Sequence, residues 1–231
     1  MNNERVIAST RARSAIGQRS AVETNKVIKN TYMLLSATFF FSAAMAAVST
    51  LFGFTSMVAY FVPILAAFGL LWLVLPRTAN STTGIGVLFA ITGLMGFALG
   101  PILNQYLSFN NGPQIIGVAL GGTGAIFLGL SGYALTTRKD FSFMGGFLMV
   151  GLMIVLLAAL ANLFLAIPAL SLALSAGIVL IMSGFILYET SEMVHRPESV
   201  NYIMMAASLF LSIFNIFVSL LQILGIAGGD D

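Results

Sequence analysis

The sequence predicts an all-α membrane protein with seven transmembrane helices. Three observations predict it. Of 231 residues, 58% are hydrophobic and only 8% charged, against about 25% charged in a soluble domain, so the chain has too little polar surface to coat a globule in water. The apolar runs are long and lack the period-2 alternation of barrel strands. Every Lys and Arg falls in one of a few short stretches, and seven crossings place all of them on one side.

The chain divides into a polar tail, residues 1–30, and a seven-helix transmembrane domain, residues 31–231. The tail carries Arg5, Arg11, Arg13, Arg19, Lys26 and Lys29 with only Glu4 and Glu23. It reads as a disordered or partly helical cytoplasmic tail, with an organellar targeting peptide as the alternative. It is not a secretory signal, because the apolar run that follows is too long for a signal core. The spans are read at 31–52, 57–75, 84–107, 114–136, 143–166, 169–190 and 201–226, each near the ~20 residues a crossing needs. The apolar stretch from Phe143 to Tyr188 is too long for one helix. It is broken at Ile167-Pro168, since proline disfavours a helical residue before it.

Charge placement tests the count. Arg77, Arg138-Lys139 and Arg196 fall on the same side as the tail, and without the turn at Pro168 the last two places would separate. By the positive-inside rule that side is the cytoplasm. The N-terminus is then cytoplasmic, with Asp230 and Asp231 outside. The loops at 53–56, 108–113 and 167–168 carry no charge. Asn80-Ser81-Thr82 fits a glycosylation sequon but lies on the cytoplasmic side.

Small residues mark helix packing: Gly96 with Gly100, and Gly117 with Gly121, form GxxxG pairs that allow close approach. The run Gly121 to Gly124 lacks the lysine of a phosphate loop and lies inside a span. Pro63 and Pro101 are expected to kink their helices, and Asn104, Asn162 and Asn215 to hydrogen-bond between helices.

The absence of cysteine and the single histidine exclude disulfides, thiolate chemistry and His-rich metal sites. No HExxH, no aspartate pair and no Ser–His pair at one depth points to intramembrane catalysis, so no catalytic residue, metal or cofactor is expected, and no nucleic-acid partner. None of the eight acids lies near a bilayer centre, which argues against a driven proton pump. Glu189 is the deepest, in the last turn of the sixth span. Glu192 follows on the same face, with His195 and Arg196 beyond, and Glu192, His195, Arg196 and Glu198 are expected to be solvated.

Three separated segments, "LSGYALTTRKDFSFMGGFL" (Leu130 to Leu148), "ILYETSEMVH" (from Ile186) and "SLFLSIFNIFVSLLQILGIAGGDD" (Ser208 to Asp231), resemble the Bax inhibitor-1 family. "NTYMLLSATFFFSA" and "TGLMGFALGPILNQYLS" are similar to a bacterial branch of it whose members modulate the membrane protease FtsH. The resemblance implies six helices around a central seventh. It implies a lipid-embedded regulator of FtsH in a bacterial inner membrane, its cytoplasmic tail engaged by the protease. Some family members are pH-sensitive cation leaks, with Ca2+ or H+ as the permeant ion, gated by two aspartates and an arginine. Carried over by position, Glu189 takes the first acid, Ser212 stands at the second and Arg77 is the available arginine; in a leak, Ser212 and Asn215 are expected to line the path. A serine cannot share a proton with a carboxylate as a second acid can, so the paired-carboxylate device is incomplete here.

Overall fold

The computed structural model describes residues 2–54 and 56–228, with side chains from Val22 onward. Seven helices among them are long and apolar enough to cross a membrane: α1 (Asn2–Leu51), α2 (Met57–Thr78), α3 (Thr82–Leu107), α4 (Gly112–Thr137), α5 (Met144–Leu165), α6 (Pro168–His195) and α7 (Tyr202–Gly228). No strand interrupts them among the described residues. The chain is a multi-pass helical membrane protein. Asp230 and Asp231 lie outside the described residues.

The expected tail is the first part of α1. The helix runs unbroken from Asn2, and its membrane-crossing part is Val22–Leu51. No proline precedes Pro63 to stop it. Along the crossing part, Thr31, Leu35, Thr38, Ser42, Ala46 and Ser49 are buried. Their spacing of three and four places them on one helical face.

That face packs on α3. Glycine makes the fit possible: a Cβ at Gly96 would overlap the backbone oxygen of Ser42, and one at Gly100 would overlap the Ser49 hydroxyl. Gly117 and Gly121 on α4 behave differently. They are exposed, and a Cβ on either meets nothing within 4 Å. The second GxxxG pair therefore faces away from the bundle and joins no helix within it.

Helix α7 is central. It packs against α1, α3, α4 and α6, while α2 rests on α3 and α5 on α6 as an outer layer. Leu209, Phe210, Ile216 and Leu221 of α7 have no exposed surface. The outer helices carry apolar side chains outward, including Leu65 and Trp72 on α2 and Leu157 and Phe164 on α5. Hydrocarbon is the solvent such a surface requires.

Two proline-linked features shape the chain. In α2, residues Leu70–Val74 open into a π-helical turn just before Pro76. The wider turn accommodates a ring that would otherwise meet the carbonyl of Trp72. Between α5 and α6, Ala166 adopts a left-handed conformation with φ 51°. The Ile167 amide donates to Asn162 Oδ1 at 3.0 Å, and Pro168 starts α6.

The loops bearing the basic residues meet at one end of the bundle. Asn201 Nδ2 donates to Ala79 O (3.0 Å) and Asn80 Oδ1 (2.9 Å), joining the α6–α7 and α2–α3 loops. His195 Nε2 lies 2.9 Å from Arg138 O, joining the end of α6 to the α4–α5 loop. At the opposite end Asn111 Nδ2 donates to Gly228 O at 2.7 Å, and Asn104 Nδ2 to Phe54 O at 3.3 Å.

Candidate functional site

The site is the last two turns of α6. Helix α6 runs to His195, further than the span read from hydropathy, and its end is closed by Arg196 N–H donating to Glu192 O at 2.8 Å. Glu189 through Met193 are five consecutive buried residues. A helix buried on every side has neighbours all round, and here each polar side chain addresses a different one.

Glu189, only 3% exposed, points to α7. Its Oε1 accepts a hydrogen bond from the Ser208 hydroxyl, and the Ser212 hydroxyl, one turn further along α7, also faces the carboxyl. Oε2 has no hydrogen-bond partner. Thr190 Oγ1 lies 3.4 Å from both the Tyr32 hydroxyl of α1 and the Ser131 hydroxyl of α4. Ser191 Oγ accepts from the Phe141 amide at 2.9 Å and donates to Lys139 O at 3.2 Å. His195 Nδ1 stands 3.0 Å from Ser191 O while Nε2 faces Arg138 O. Two turns of one helix thus fasten α7, α1, α4 and the α4–α5 loop.

Of the four residues expected to form a sensor, the structure brings Glu189 and Ser212 together. Arg77 is exposed at the end of α2 and donates to Leu73 O of its own helix. Asn215 donates to Leu211 O at 2.8 Å, also within its helix. Among the described residues the recorded ion pair is Arg196–Glu192 at 3.4 Å, so no cation is paired with Glu189. The Glu192 side chain is a correction: it is buried rather than solvated, because the α4–α5 loop folds over this turn. His195, Arg196 and Glu198 are exposed as expected. No three His, Asp or Glu side chains among the described residues converge as a metal site would require.

Sequence reasoning missed Ser208, the direct partner of Glu189. Its signal was available: Ser208 and Ser212 are four apart, so both lie on one face of α7. The roles of Thr190 and Ser191 had no signal, since hydroxyls at a helix end fit many readings. Asn162 does bond between helices, donating to Ser171 Oγ at 2.7 Å.

The family model for the inhibitor of apoptosis-promoting Bax1 matches residues 24–229. An uncharacterized membrane protein of Vibrio cholerae is 50% identical over 210 residues, covering 91% of this chain and 93% of its own. The modulator of FtsH protease YccA of Escherichia coli K12 is 48% identical over 227 residues, covering 98% of this chain and 100% of its own. The protein called inner membrane protein YccA in another Escherichia coli strain matches to the same extent.

Proposed function

Because the chain belongs to the Bax inhibitor-1 family, we propose that it is a bacterial inner-membrane regulator that binds and modulates the protease FtsH rather than an enzyme. The observation that carries this reading is the 48% identity, end to end, with a protein named as a modulator of that protease. In the proposed orientation the basic loops and the N-terminus face the cytoplasm, so the start of α1 is presented to a protease pulling from that side. The protein engages FtsH through residues 1–30 and resists extraction, competing with other substrates.

The test compares the full chain with a variant lacking residues 2–21, which leaves the crossing part of α1 whole, in membranes with and without active FtsH. The full chain should co-isolate with FtsH, and the truncation should change its half-life only where FtsH is active. Failure of the intact chain to co-isolate, with equal half-lives for both forms, would overturn the proposal.

A second reading, a pH-sensitive leak for Ca2+ or H+, is favoured by one observation: a buried Glu189 carboxyl with one oxygen free of hydrogen bonds. Its test is flux across vesicles between pH 5 and 8. Glu189→Gln should alter that flux, and its absence in the wild type would end this reading.

A further inference from the structure

At the end of the bundle opposite the basic loops, a cavity of about 560 Å3 opens between α5, α6 and α7. Its size falls in the range of small-molecule sites. One part of its wall is apolar, formed by Leu163, Leu174 and Ile226; the other carries Asn162, Ser171, Ser175 and Gln222. No charged residue lines it among the described residues.

The polar part keeps donors free for a ligand. Asn162 Oδ1 accepts from the Ile167 amide, Ser171 Oγ accepts from Asn162 Nδ2, and Gln222 Oε1 accepts from Ser175 Oγ at 2.7 Å. Each of these three acceptors already holds one bond, and the Ser175 hydroxyl also faces Ser171 O at 3.0 Å. The Gln222 amide nitrogen has no recorded partner, and Asn162 Nδ2 carries a second N–H beyond its bond to Ser171. Amide N–H groups are therefore left to donate, which suits a ligand that presents acceptors.

Depth narrows the ligand further. Asn162 lies three residues from the end of α5 and Gln222 six from the end of α7, roughly 5 and 9 Å below the helix ends at 1.5 Å per residue. The helices run to 22–28 residues, longer than the ~20 that cross the hydrocarbon core. The donors therefore sit at the border between acyl chains and headgroups, where glycerolipids carry their ester carbonyls. An ester presents acceptors and no donor, and the uncharged wall gives no counter-ion for a headgroup phosphate.

We propose that this cavity binds a glycerophospholipid of the adjoining leaflet through its ester carbonyls, Gln222 and Asn162 donating and one acyl chain lying along Leu163, Leu174 and Ile226. The inference is independent of any partner protease. The test places the full-length protein in bilayers containing equal amounts of diester and diether phosphatidylethanolamine, which differ in the carbonyls alone. Lipid retained after transfer to mild detergent is counted by native mass spectrometry. Retention of the diester should exceed that of the diether by about three- to tenfold, the worth of one or two hydrogen bonds inside a bilayer. Gln222→Leu should reduce that preference. Equal retention by the wild type would overturn the proposal and leave the cavity to water. A preference unchanged in a Gln222→Leu protein of unaltered melting temperature would equally overturn it. The wild-type comparison needs no variant and holds even if Gln222→Leu misfolds.

Discussion

The contact between Glu189 and Ser208 can be weighed by a double-mutant cycle of Ser208→Ala and Glu189→Leu. The carboxyl is 3% exposed, one oxygen accepts from Ser208 and the other has no partner. Removing the Ser208 hydroxyl leaves the carboxyl with Ser212 as its remaining hydroxyl neighbour. Interhelical hydrogen bonds in membranes average ~0.6 and reach ~1.7 kcal/mol, and a carboxyl already short of partners belongs near the upper value. Ser208→Ala should therefore cost about 1–1.5 kcal/mol. With Glu189→Leu already present the hydroxyl has no carboxyl to serve, and the same change should cost less than about 0.5 kcal/mol. The coupling is then about 1 kcal/mol, which for a chain of this size is a difference of about 2–4 °C in melting temperature. Glu189→Leu alone should leave stability level or raised, because replacing an under-bonded buried polar group by a packed apolar one is often favourable. The assay is thermal loss of helical circular dichroism in mild detergent. Equal effects of Ser208→Ala in both backgrounds would refute the argument that this hydroxyl supports the carboxyl.

Three further outcomes follow from the packing and the loops. Gly96→Leu should destabilise by about 2 kcal/mol or more through overpacking against Ser42, while Gly117→Leu, facing open space, should stay within about 0.5 kcal/mol in the same melting assay. His195→Ala should speed amide hydrogen exchange across residues 138–143, because both ring nitrogens face backbone carbonyls of this clamp; unchanged exchange there would count against the clamp. The Asp140 carboxyl is held below the usual carboxylate range by hydrogen bonds from the Ser142 hydroxyl and amide, the latter at 2.9 Å. A lowered value means the turn is supported above the ordinary carboxylate range and loses that support as pH falls through it, below about pH 4. Protection of the Ser142 amide, relative to its intrinsic exchange rate at each pH, should fall there, and Asp140→Asn should remove that pH dependence of protection.

The crossings were legible because each signal was local. Long apolar runs set the count, and Ile167-Pro168 broke the longest run at the residue where the structure turns. Boundaries set by hydropathy alone moved: α6 continues to His195 because hydropathy does not register a polar turn that tertiary contacts enclose. For the same reason hydropathy places Glu192 in solvent, where the structure buries it. Orientation of the GxxxG pairs was not legible either. Gly96 and Gly117 carry the same motif, and only the position of α1 against α3 distinguishes a packing glycine from an outward one. Pairing of Glu189 with a serine on α7 could be read by position, but which serine donates depends on the rotation of α7.

If the protease pulls on α1, as proposed, resistance to extraction is decided at the first interface to break. That interface joins α1 to α3, and its hydroxyls contribute little hydrogen bonding across it. Thr38 donates to Leu35 O and Thr50 to Ala46 O, both within α1, while the Thr31 and Ser49 hydroxyls have no partner. In hydrocarbon no hydrophobic force drives two helices together, so close contact between small residues must carry the association. Gly96 and Gly100 bring the α3 backbone against Ser42 and Ser49 over more than a turn. Pulling α1 away would forfeit those contacts before α2 or α5, the outer helices, is disturbed. Resistance is thus concentrated at the element the protease reaches first, and a close seam between two backbones, rather than the polar cluster around Glu189, is what a regulator of this kind must keep tight.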